Sequence, residues 1–160
     1  MFRGPWNLDG LTSVKITAAE TRFRHFMICI RFCPCEGCDI SGTPVELRAI
    51  ADGITVLSHA SSGSVSFIAD TSHPPAPYPA LLSALEVRVG PGPVCAKVHD
   101  GVLSVTAASK FLVPLSSFFQ FEKTVSDGYH CHHEYFPGNA YISADSVPLI
   151  ITVRQCHPIA

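Results

Sequence analysis

The chain has 160 residues, 47% of them hydrophobic and 15% charged, with a formal net charge of -2. That mixture excludes an intrinsically disordered chain, and the length suits one domain with its own core. A near-neutral charge with scattered Lys and Arg excludes a basic nucleic-acid-binding face and an acidic tract for basic partners, so no nucleic acid is expected as a partner.

The N-terminal residues 1–10 contain no apolar run of the kind a secretory signal carries. The longest apolar stretch, residues 111–119, is broken by Pro114 and two Ser and is too short to span a bilayer. These features predict an intracellular protein, cytoplasmic or nuclear, that is not secreted and has no membrane partner. In a reducing compartment the seven Cys would be thiols, and their odd number argues against a complete set of disulfides.

In chain order, helical periodicity is nearly absent, and period-two or continuous β-type runs recur. Residues 13–17 alternate, and 25–33 read as a buried strand. Residues 45–49 alternate, and 54–57 follow a turn expected at Asp52-Gly53. Residues 64–68 alternate again. Across 84–89, Leu85, Val87 and Val89 share one face and Glu86 and Arg88 the other, as in an antiparallel strand with one wet face. Residues 94–98 and 102–106 flank Asp100-Gly101, a strong hairpin-turn signal. Residues 111–113, 118–125, 140–142 and 149–153 complete the set, with loops at 33–44, 70–79 and 126–139. The expected fold is a single all-β domain over residues 1–160, a jelly-roll-type sandwich or distorted barrel of about ten short strands. The Pro-rich 73–79 segment reads as a stiff connection rather than a polyproline ligand.

Two Cys/His clusters carry metal-type chemistry. Cys33, Cys35 and Cys38 lie in one segment, and His130, Cys131, His132 and His133 in another, with Cys156-His157 near the end. Thiolate and imidazole are the ligands zinc prefers, but the spacing forces no pairing. Free thiols in one loop and exposed His in another are favoured, and zinc is the metal these two clusters would take. Cys131 among three His could be an activated nucleophile, but no orienting group or oxyanion hole accompanies it. Gly90-Pro-Gly92 makes a poor phosphate cradle because Pro91 and Pro93 lack N–H groups.

Three segments in order resemble the dUTPase fold family. Pro44-Val-Glu-Leu-Arg-Ala49 resembles its first motif. Residues 82–92 resemble the alternating strand that leads to its second. Residues 144–151 resemble its late Gly-Asp-Arg-apolar segment. The likeness covers about residues 40–156 and implies a dUTPase-like sandwich. It also implies a departure from the reaction. Glu46 stands for the first motif's Asp. His99-Asp100 takes the place of the phosphate-holding Arg-Ser. Ser116 replaces the Asp that activates water, and Phe119 the Tyr under the sugar. Asp145 falls in the late segment. A carboxylate at Asp100 would repel phosphate, and a neutral Ser is no general base. A weaker likeness, over 85–94, is to nucleoplasmin core domains, whose acidic tracts this chain lacks.

The resemblance therefore implies a non-catalytic, dUTPase-derived regulatory or host-interaction protein of the kind large DNA viruses carry. It would act by binding a protein partner, its catalytic motifs lost, a reading that leans against an enzyme without settling it. The alternatives are an atypical Mg²⁺-dependent dUTP or nucleotide pyrophosphatase built on Glu46 and Asp100, and a zinc-stabilised structural or capsid-associated protein. The charge-poor composition also makes a homo-oligomer plausible.

Overall fold

The computed structural model describes residues 16–17 and 27–155. Among these residues ten strands and two helices run in the order β1 (Ile16–Thr17), β2 (Cys29–Cys33), β3 (Gly37–Gly42), α1 (Pro44–Ser58), β4 (Ser64–Ile68), β5 (Ala80–Leu82), β6 (Ala84–Val89), β7 (Cys95–His99), β8 (Val102–Ala107), α2 (Ser109–Ser117), β9 (His130–His133) and β10 (Leu149–Val153). They build two five-stranded sheets, ordered β1-β4-β6-β8-β7 and β5-β2-β3-β10-β9. Both are mixed. In the first, β6 pairs parallel with β8 and antiparallel with β4, and in the second β10 pairs parallel with β3 and antiparallel with β9. The architecture is β-rich, with two open sheets and not a closed barrel.

The β-rich architecture is as expected, and two helices stand within it where strands were expected. Residues 45–49 and 54–57 are not strands but parts of α1. Thr43 caps this helix: its hydroxyl accepts from the Glu46 N–H, and the Glu46 carboxylate accepts from the Thr43 N–H at 2.8 Å. Pro44 occupies the first turn, where its missing N–H costs nothing. Leu47, Ile50, Ala51, Ile54 and Leu57 form the buried stripe, a period that tertiary burial selects over the short β-like alternation. Gly53 marks no turn. A Cβ there would come within 2.8 Å of the Phe67 ring, so the glycine lets β4 approach the helix. Residues 111–113 lie in α2, and 118–125 follow it without forming a strand, although Phe119 and Phe121 are buried. Residues 140–142 contribute one isolated bridge, Val94 to Ile142.

Other expectations hold. Leu85 and Val87 are buried on one face of β6, while Arg88 is exposed on the other. The hairpin turn between β7 and β8 has positive φ at both Asp100 (51°) and Gly101 (74°), the backbone that matches strand twist. The inner faces of both sheets and the two helices close on one core, in which Ile40, Ile151, Leu85, Leu103, Ile54 and Leu112 are fully buried. The segment before β10 ties the sheets together: the Val147 N–H donates to the Ala96 carbonyl at 2.9 Å, and the Ala96 N–H to the Ser146 hydroxyl at 2.9 Å. Among the described residues no helix is long and apolar enough to cross a membrane.

Candidate functional site: a polar cleft on the second sheet

Residues 37–42 were expected in a loop. They form β3, and all six are buried. Alternation sends Cys38 and Ile40 to the core and Asp39 and Ser41 to the opposite face. Strands buried on both faces are usually apolar throughout, so a buried Asp on the outer face is the anomaly of this sheet.

Cross-strand register places a row of unlike side chains beside it. Arg31 of β2 pairs with Asp39, Asp39 with Ile150 of β10, and Ile150 with His132 of β9. The next row carries Ser41, Thr152 and His130. All of these except Ser41, together with residues 76–78 and Arg154, line a cleft of about 550 Å³.

The hydrogen bonding in the cleft is incomplete. Asp39 is 5% exposed and Thr152 7%. The Thr152 hydroxyl donates to Asp39 Oδ1 at 2.6 Å, and this is the one hydrogen bond Asp39's side chain makes among the described residues. An ionised carboxylate has about four acceptor sites, so most of its capacity is unused. Arg31 Nη1 reaches the Ser41 hydroxyl at a long 3.4 Å, and Arg31 Nε is buried with no partner among the described residues. Arg31 and Asp39 are direct cross-strand neighbours, yet among the described residues they form no ion pair within 4.0 Å. Tyr78 closes one side, and burial, with Asp39 and Glu36 adding to it, pushes its hydroxyl above the ordinary range. It stays a neutral hydrogen-bonding group.

The residues predicted as a degenerate nucleotide site do not assemble. Glu46 is absorbed by the α1 cap, its second oxygen accepting from the Met27 N–H at 2.9 Å. His99 and Asp100 are exposed at the hairpin tip. Ser116 donates to the Val113 carbonyl inside α2, and Phe119 is core. Asp145 is exposed, its N–H donating to the Ser143 hydroxyl at 3.2 Å.

The metal candidates are also dispersed. Cys33 and Cys35 are joined as a disulfide across the β2–β3 turn, which corrects the expectation that every Cys is a thiol. Among the described residues Cys29, Cys38, Cys95 and Cys131 are free. Cys38 faces the core, and burial pushes its thiol up to about 12. The cluster at 130–133 was expected in a loop but is β9, and its alternation sends His130 and His132 to the cleft and Cys131 and His133 the other way. His133 stacks on Phe118 with ring centroids 3.5 Å apart, and burial, with His132 beside it, lowers its pKa to about 4. Among the described residues no group of three or more His, Cys, Asp or Glu could hold a metal ion. Cys156 and His157 lie outside the described residues.

Arg31, Asp39 and Thr152 were not singled out in the sequence. The signal available was local: Cys38-Asp-Ile-Ser41 alternates between apolar and polar residues as a strand does. The chain matches no protein-family model, no curated protein and no solved structure.

Proposed function

We propose that the chain is a non-catalytic binding module that engages a protein partner along the β9 edge of the second sheet. One observation carries the reading. Tyr129, Tyr135 and Phe136 flank β9 and are 50%, 42% and 60% exposed. β9 is the last strand of its sheet and pairs only with β10 among the described residues. An unpaired strand edge offers backbone donors and acceptors to an extended segment, and aromatic side chains dominate binding energy at interfaces.

The absence of turnover follows from the chemistry each candidate residue is already performing. A carboxylate held in a helix cap, a hydroxyl bonded within its own helix and a Phe in the core supply neither base nor phosphate ligand. The regulatory or host-interaction role implied by the dUTPase resemblance agrees with this reading. That ancestry contributes less than the site does, because the segment resembling the first motif is helical.

The test places a photo-crosslinking residue at Tyr135 or, as control, at exposed Val56 on α1, in cells of the source organism. The expected result is a discrete crosslinked protein from position 135 alone, lost on Phe136→Ser. Equal labelling from both positions would sink the reading, as would dUMP released from dUTP and Mg²⁺ in a Glu46-dependent manner.

A further inference from the structure

We infer that the cleft on the second sheet is a binding site for a small zwitterion of the α-amino-acid class, its carboxylate on Arg31 and its ammonium on Asp39. The inference stands apart from the protein-partner reading, and each can fail alone.

The argument begins with two neighbours of opposite charge that do not pair. Desolvating a carboxylate or a guanidinium is costly unless each finds a partner. Arg31 and Asp39 occupy directly opposed positions on β2 and β3, where pairing requires no backbone change. Instead, Asp39 is bonded on its far side by Thr152. Arg31 is tied toward Ser41 through Nη1, and its Nε is left without a partner. A guanidinium carries five N–H donors, and the Arg31 side chain lines the cleft with only one of its nitrogens hydrogen-bonded among the described residues. Arg31 and Asp39 therefore line the cleft one cross-strand step apart, each with hydrogen-bonding capacity that the other does not take up.

A ligand complementary to that pair carries an acceptor anion and a donor cation separated by a few bonds. A simple anion satisfies Arg31 but meets the Asp39 carboxylate, and a simple amine has the reverse problem. An α-amino acid presents both groups on one carbon. The rest of the row fits its side chain: Ile150 is the next residue across the sheet, followed by His132, and Tyr78 also lines the cleft. The 550 Å³ volume lies within the range of small-molecule sites.

The test titrates the whole chain by calorimetry and thermal melting with each proteinogenic L-amino acid in turn. Acetate, methylamine and inorganic phosphate at the same millimolar concentration serve as single-charge probes. The expected result is saturable binding of one or a few amino acids with a raised melting midpoint, and no response to the single-charge probes. Arg31→Gln and Asp39→Asn should each weaken that binding about tenfold or more, the loss expected for a charged hydrogen-bonding partner. Should either variant fail to fold, Ile150→Trp fills the floor of the cleft from a half-buried position, and lost binding with an unchanged circular dichroism spectrum supports the site. The inference is overturned if no amino acid binds, if acetate or phosphate binds as well as any amino acid, or if Ile150→Trp leaves binding intact.

Discussion

Each sheet carries an arginine and a carboxylate as neighbours, and the two pairs behave differently. On the first sheet, Arg88 and Glu86 lie two apart on the wet face of β6 and meet at 2.7 Å. On the second, Arg31 and Asp39 face each other across β2 and β3 and remain apart. In water, side chains of opposite charge drift together with little net gain. The pair in the cleft has more to gain from meeting and does not. The difference separates a surface that is merely solvated from one whose polar groups are held at a fixed spacing.

The inner faces should not share this difference. Leu85→Ala in the first sheet and Ile151→Ala in the second remove fully buried side chains, and chemical denaturation should show losses of about 2–5 kcal/mol for both. A large inequality would mean that one sheet is only loosely joined to the core. The next effect comes from acid. Burial holds His133 in the folded state at a pKa of about 4, below the ordinary imidazole value of 6.5. The unfolded chain therefore binds the proton first as pH falls. Stability from this group is complete above about pH 6.5, declines between 6.5 and 4, and then levels off. Melts of His133→Phe across that window should lack this slope.

Polar substitutions sharpen the contrast between the outer faces. Thr152→Val leaves the buried Asp39 carboxylate without its hydroxyl donor and should cost about 1–3 kcal/mol. Glu46→Ala removes the α1 capping box, and urea unfolding should register about 1 kcal/mol. Glu86→Gln breaks the surface pair and should change stability by less than about 0.5 kcal/mol. If Glu86→Gln proves as costly as Thr152→Val, the two outer faces are equivalent and the cleft loses its distinction.

Strand β6 and the turn at Asp100-Gly101 were legible because their signals are local: alternation over six residues, and a dipeptide that tolerates positive φ. Helix α1 was misread because Val45-Glu-Leu-Arg-Ala49 alternates over the short window that strands also occupy. The longer period through Leu47, Ile50, Ile54 and Leu57, together with the Thr43–Glu46 cap, outweighs it. The metal clusters looked plausible because sequence proximity conceals the two-residue period that splits a strand's side chains between faces. The cleft was beyond local reading for a different reason: its row joins residues 31, 39, 150 and 132, and only long-range register puts them side by side.

That register also orders events during folding. β2 and β3 are joined by a tight turn and can pair early, whereas β10 must be gathered from across the sequence to lie parallel to β3. Thr152 and Asp39 are separated by 113 positions, and contacts so distant form late because the intervening chain must first be ordered. Until β10 docks, Asp39 sits on an open hairpin edge in contact with water. The cleft is therefore a product of the final pairing steps, and any ligand that occupies it recognises only a chain that has completed them.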